Sequence, residues 1–139
     1  MTPSNALQAA IYTRLTGFSA LTALVTGMYD FVPDDAAPPY VVIGDDTAID
    51  WSTKTSNGWD ATLTIHVWDF EKTGRKSVKT IMSAIYDALH QQEASITVSG
   101  FNLILIRFEF EQTFQDASAE GQGNEFYHGV QRYRALIQS

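Results

Sequence analysis

The sequence predicts an α+β fold: a mainly antiparallel sheet with an N-terminal helix and one long amphipathic helix packed on it. Three observations carry this. Apolar residues recur at helical spacing over residues 72–91, strict alternation marks two later segments as strands, and the order is helix, strands, helix, strands. Neither an internal repeat nor a linker interrupts the 139 residues, so residues 1–139 read as one domain. A chain of this size buries roughly two-thirds of its unfolded surface, and 45% hydrophobic content supplies the core.

The elements follow in order. Thr2 is placed to cap a helix and Pro3 to occupy its first position, with Leu7, Ile11 and Leu15 every fourth residue and Gly17 at the end. Residues 19–24 add a helical turn or two, and residues 29–32 a short strand. A loop rich in Asp, Ala and Pro spans 34–39. The apolar run 40–43 reads as a strand buried on both faces, and 45–57 as polar and turn-like apart from Ile49 and Trp51. From Trp59, Ala61, Leu63, Ile65 and Val67 face one way while Thr62, Thr64, His66 and Trp68 face the other.

Val78, Ile81, Met82, Ile85 and Leu89 form the stripe of the long helix, expected at about 72–91. Residues 95–98 read as a strand and Ser99-Gly100 as a turn. A long strand from Phe101 sets Ile104, Ile106, Phe108 and Phe110 against Leu105, Arg107, Glu109 and Glu111. A glycine-containing loop over 116–124 and a closing strand over 127–137 complete the chain. One hairpin register, Phe110 opposite Tyr133, Phe108 opposite Ala135 and Ile106 opposite Ile137, aligns the apolar sides. It also sets Glu109 against Arg134 and Glu111 against Arg132.

Charge and composition exclude several functions. Residues 15–71 hold nine acids and one base, Lys54, so −8 of the net −7 lies there and the remainder is at +1. That balance opposes gripping nucleic acid through phosphates. No run approaches the ~20 apolar residues of a membrane helix, and residues 1–5 lack the basic and apolar regions of a signal peptide. With zero cysteines, disulfides and thiolate chemistry are absent. The expectation is a soluble chain made in the cytoplasm.

Catalytic and cofactor signatures are missing. His66, His90 and His128 stand at no metal-ligand spacing. His66 and His128 can meet across a sheet as packing or interface residues, and His90 suits a helix C-terminus. Gly121 and Gly123 lack the strand and helix of a phosphate loop. Asp45, Asp46 and Asp50 match no calcium loop. Glu109 and Glu111 resemble a glycosidase pair, but Arg132 and Arg134 explain them as ion pairs. The reading is of no enzyme, no cofactor and no metal.

Two features point to a protein partner. Lys72, Arg75, Lys76 and Lys79 fall at the start of the long helix, where the helix dipole disfavours positive charge. A solvated patch is one explanation; a surface meeting the acidic segment of a neighbouring copy, with Asp45, Asp46 and Asp50, is the sharper one. Two different patches that pair head to tail build a ring. Trp51 and Trp59 flank the polar stretch 52–58, which suits docking onto another subunit.

Several strings in close order carry a resemblance: Tyr29-Asp30-Phe31-Val32-Pro33, Pro39-Tyr40-Val41-Val42-Ile43-Gly44, Asp50-Trp51-Ser52-Thr53-Lys54, His66-Val67-Trp68, Gly74-Arg75-Lys76, Ala88-Leu89-His90, Arg107-Phe108-Glu109-Phe110 and Tyr127-His128-Gly129-Val130. From about Leu7 to Leu136 the chain resembles the small neck proteins of long-tailed phages and gene transfer agents, the tail terminators. The resemblance implies a hexameric ring that caps the tail tube and joins it to the head connector. Its partners are then the major tail tube protein, the connector or stopper, and DNA passing through without specific binding. It implies a virion location after assembly in the host bacterial cytoplasm, and carries no catalytic residue over. The interface residues expected are Lys72, Arg75, Lys76, Lys79, Asp45, Asp46, Asp50, Trp51 and Trp59, with Glu109 and Glu111 facing the channel. The alternatives are another head-tail neck component, a soluble ligand-binding domain using His66 and His128, and a hydrolase.

Overall fold

The computed structural model of the chain describes residues 1–70, 72, 74–116 and 126–139. Helix α1 (Ser4–Thr16) buries Leu7, Ala10, Ile11 and Leu15, one face of a 3.6-residue period. Its cap differs from expectation. Pro3 sits at the N-cap, its carbonyl accepting the Leu7 amide at 2.7 Å, and no side chain caps the helix. A proline there sacrifices nothing, because its missing amide has no helical partner to lose. Gly17 closes α1, and α2 (Ser19–Thr22) buries Leu21.

Five strands form one sheet in the order β1-β2-β3-β5-β4. They are β1 (Gly27–Tyr29), β2 (Tyr40–Asp50), β3 (Gly58–Phe70), β4 (Asn102–Asp116) and β5 (Phe126–Gln138). Only the β1–β2 pair is parallel; the other three are antiparallel. On β3 the expected alternation holds: Ala61, Leu63, Ile65 and Val67 are buried beneath the helices.

Helix α3 (Gly74–Leu89) covers this face with Val78, Ile81, Met82, Ile85, Ala88 and Leu89. It is shorter than 72–91. Gly74 takes φ +74° and Gln91 φ +59°, left-handed values at each boundary, and Lys72 precedes the helix. Gly129 lets α3 approach: a Cβ there would stand 2.6 Å from Val78 Cγ1 and 2.7 Å from Met82 Sδ. Residues 95–98 are no strand. A 3-10 turn (Glu93–Ser95) comes first, and Ile96 and Val98 are buried without joining the sheet.

Three further expectations are corrected. The run 40–43 is buried on one face only, with Val41 and Ile43 inside and Tyr40 and Val42 half-buried. Residues 45–50 are strand rather than turn: a bulge between Ile43 and Asp46 resets the register, and β2 continues to Asp50 opposite Trp59. The β4–β5 register differs by two residues in the middle of the hairpin, with Phe108 opposite Tyr133 and Ile106 opposite Ala135, and by three beyond the Leu103/Leu105 bulge, where Leu103 is opposite Ile137. A two-residue slip keeps every side chain on its face, so alternation alone selects neither register. Bulges at Leu103/Leu105 and Phe108/Phe110 each insert a residue, which leaves Ile104 and Phe110 exposed. The predicted loop 116–124 lies, apart from Asp116 at the end of β4, outside the described residues.

Candidate assembly surfaces

The acidic patch is an arm made by the upper halves of β2 and β3. Asp45, Asp46 and Asp50 are all exposed, and among the described residues none pairs with a lysine or arginine. Ile49 is 66% exposed. The tip, expected to be a polar loop flanked by Trp51 and Trp59, is held by its own hydrogen bonds. The Trp51 amide donates to the Gly58 carbonyl at 2.8 Å, Ser52 Oγ donates to Asp50 Oδ1 at 2.6 Å, and the Gly58 amide donates to Ser52 Oγ at 3.0 Å. Gly58 is required here, since a Cβ would stand 2.5 Å from the Trp51 carbonyl oxygen. Trp51 is 39% exposed, whereas Trp59 packs edge-on against Phe101 at 5.5 Å, a core role.

Other acids of the −8 segment are used within the chain. Asp60 takes two bonds from Arg134, at 2.9 and 2.8 Å, and the Arg134 hydrogen bond holds its carboxyl below the usual carboxylate range. Asp69 is buried, accepting from the Phe70 amide at 2.8 Å and from the Ser77 hydroxyl.

The basic patch divides in two. Lys72 lies over Phe70 at 5.3 Å and Arg75 over Tyr127 at 4.6 Å, so both have an aromatic partner in their own chain that sequence reasoning missed. Lys76 and Lys79 are exposed, and among the described residues neither meets a carboxylate. They rim an open groove between α3 and the turn that follows α2, which includes Leu24, Thr80, Ser83 and Ala84.

Glu109 and Glu111 do not share a face, because the bulge at Phe108/Phe110 separates them. Glu109 pairs with Arg132 at 3.0 Å, where Arg132 also covers Phe110, on the helix-free side. Glu111 accepts from Gln131 Nε2 at 2.9 Å on the helix side, and the same nitrogen donates to the Met82 carbonyl. The expected partners, Arg134 for Glu109 and Arg132 for Glu111, are therefore replaced.

On the helix-free face His66 Nδ1 and His128 Nε2 are 2.8 Å apart. Trp68 stacks on His128 at 3.8 Å, and the His66 ring lies directly on Gly44. Burial pushes the His66 pKa below its ordinary value, with Asp45 opposing. The shallow recess here also includes Gln8, Asp30 and Tyr40. Two imidazoles sharing one hydrogen bond offer neither an activated nucleophile nor a metal cage, and no group of three metal-ligating residues occurs among the described residues. His90, expected to answer the helix dipole, instead accepts the Phe108 amide through Nδ1 at 3.0 Å and stacks on Tyr86.

Residues 9–138 match the sequence family described as tail completion protein gp17. The chain is 28% identical over 134 residues to the tail completion protein gp17 of Bacillus phage SPP1, covering 96% of this chain and 93% of that protein. Among solved structures, a chain in the virion of a native gene transfer agent particle superposes with a TM-score of 0.85 at 28% identity, covering 98% of this chain and 97% of that one. The structure of bacteriophage SPP1 gp17 superposes with a TM-score of 0.61 at 28% identity, over 95% and 88% of the two chains.

Proposed function

We infer what this chain does from the fact that it belongs to the family of tail completion protein gp17, a structural protein of the phage tail. It is a tail terminator of a virion: copies form a ring on the last tier of the tail tube, stop its growth and offer the head connector a docking surface. The ring is six-fold, its neighbours are the tube protein and the connector or stopper, and assembly takes place in the bacterial cytoplasm before the ring enters the virion. It performs no catalysis. The observation that supports this reading most is the likeness, over nearly the full length of both chains, to a chain of a whole gene transfer agent particle.

Of the two glutamates expected in the channel, Glu109, on the helix-free face, lines it, and Glu111, turned to the helix side, does not. A bore without free basic groups lets DNA pass without the counterion release that phosphate gripping brings. Arg132, tied to Glu109, is in this way kept from phosphate.

The test is to polymerise the matching tube protein with and without this chain and measure tube lengths by electron microscopy. Capped tubes of limited length, with a ring at one end, are the expected result. Tubes that elongate unchanged while the chain binds a connector instead would overturn termination and leave a head-side neck role.

A further inference from the structure

Beyond the bulge at Gly44 and Asp45, β2 is an edge strand, because β1 pairs only with Tyr40, Val41 and Val42. Its free side presents backbone amides and carbonyls over residues 45–50, an open template for another chain. Asp46, Ala48 and Asp50 lie opposite Leu63, Ala61 and Trp59, on the helix side of the sheet. No helix covers them, for all three are exposed.

The α2–α3 groove has the complementary character. Leu24 is its exposed apolar side chain, with Ala84 nearly buried at its floor, and Lys76 and Lys79 leave its rim basic, with Asp87 as the one acid beside them. The lysines of the groove and the tip of the arm lie toward opposite ends of β3. Asp50 is opposite Trp59 at the strand's start, and α3 begins just after its last residue, Phe70. Val78, next to Lys79, packs over Gly129, which pairs with Val67, and the eight residues from Trp59 to Val67 span roughly 26 Å, so Asp50 does not reach Lys79 of its own chain. Two unlike, complementary patches at opposite ends of one molecule join head to tail, not face to face.

We propose that residues 46–50 of one copy lie in the α2–α3 groove of the next, with Asp46 and Asp50 against Lys76 and Lys79 and Ala48 over Leu24 and Ala84. This rests on the ring reading above and names the contact that builds the ring. Asp46 and Asp50 are about 13 Å apart along the strand. Two lysines one helical turn apart bridge that span with their flexible four-carbon stems. Ala48 between the acids is small enough to bring the edge backbone close to Thr80 and Ser83.

The chain holds no cysteine, so introduced thiols report only the designed contact. Ala48→Cys and Ser83→Cys alter exposed positions. Mixed and treated with a short thiol-to-thiol reagent, the single variants should give a covalent dimer, and the double variant a ladder ending at the ring size. A Thr16→Cys control paired with Ser83→Cys should give neither.

In parallel, D46K/D50K and K76E/K79E should each weaken self-association about tenfold or more in light scattering, as expected when complementary charges become repulsive. Mixing the two reversed proteins, or combining all four changes in one chain, should restore it. Circular dichroism of each variant separates misfolding from lost contact, and the thiol variants keep the test open if a reversed variant misfolds. A ring that persists in both reversed variants without the 48–83 crosslink overturns the arm contact and leaves the ring standing. A wild-type chain that stays monomeric at every concentration, together with thiol variants that give no crosslink, overturns both.

Discussion

The imidazoles of His66 and His128 share a 2.8 Å hydrogen bond between β3 and β5, with Trp68 stacked on the second ring. Such a bond needs at least one ring neutral, since two imidazolium ions present only donors. Burial already disfavours the charged form of His66, and its folded pKa lies below the ordinary 6.5, Asp45 opposing. The unfolded chain therefore takes up its proton first as pH falls. Stability is fully present above about pH 6.5 and is lost as pH drops through the folded pKa. Thermal melts from pH 8 to 5 should show a steeper fall in Tm for the wild type than for His66→Gln. Equal slopes for the two proteins would refute the assignment.

A second prediction concerns the polar chain under α3. Gln131 is fully buried, donates to the Met82 carbonyl and Glu111, and accepts from the Tyr133 hydroxyl at 3.1 Å. Burial first, then the charge of Glu111, raises the Tyr133 pKa, so this phenol stays protonated and a donor. Replacing Gln131 by Leu strands that hydroxyl, and each buried group left without a partner costs about 1–3 kcal/mol. Tyr133→Phe removes the donor but leaves Gln131 its other bonds, so its loss should be nearer 1 kcal/mol. Urea unfolding of both variants gives the order; Tyr133→Phe as the more damaging change would contradict this account.

The contact of α3 with the sheet depends on Gly129. Adding a methyl there places it 2.6–2.7 Å from Val78 Cγ1 and Met82 Sδ, and overpacking of this kind costs about 1–3 kcal/mol. Gly129→Ala should lower stability by that amount. Since Met82 is flexible and Val78 stiff at χ1, pairing the change with Val78→Ala should return part of it more effectively than Met82→Leu. A Gly129→Ala variant of unchanged denaturant midpoint would show that α3 can lift freely.

How much of this was visible in the sequence depends on the kind of signal. The α3 stripe and the β3 alternation are periods within one element, and both stand as read. The β4–β5 register is a relation between elements, and a period of two cannot separate registers two residues apart. Bulges leave no clear mark: nothing in Leu103-Ile104-Leu105 announces an inserted residue that turns Ile104 to solvent. Residues 45–50 read as a turn because they are acidic and irregular in hydropathy, which is what an edge strand without a helix over it looks like. The charged patches were legible as composition. That Lys72 and Arg75 are occupied by Phe70 and Tyr127, leaving Lys76 and Lys79 free of acids among the described residues, required coordinates.

The last prediction concerns the edge of β4. The Ile106 amide donates to Glu93 Oε2 at 2.9 Å, the Ile106 carbonyl accepts from the Gln91 amide at 3.1 Å, and the Phe108 amide donates to His90 Nδ1. Three outward backbone groups that would template another strand are thereby closed by the residues that follow α3. Glu93 also pairs with Arg107. Desolvation raises its pKa, but the Ile106 amide and Arg107 outweigh it, and the folded value lies below the usual 4.5. Its contribution is thus present above about pH 4.5 and disappears as pH falls through the folded value. Glu93 is partly solvated, so Glu93→Ala should cost only about 1 kcal/mol at pH 7. The larger effect should be on association: with the Ile106 amide uncovered, light scattering should detect disordered, salt-insensitive aggregation, unlike the charge-dependent assembly expected of the arm. Glu93→Gln keeps an acceptor and should stay clear of aggregation. If both variants aggregate alike, the carboxylate charge rather than edge closure is what protects this strand.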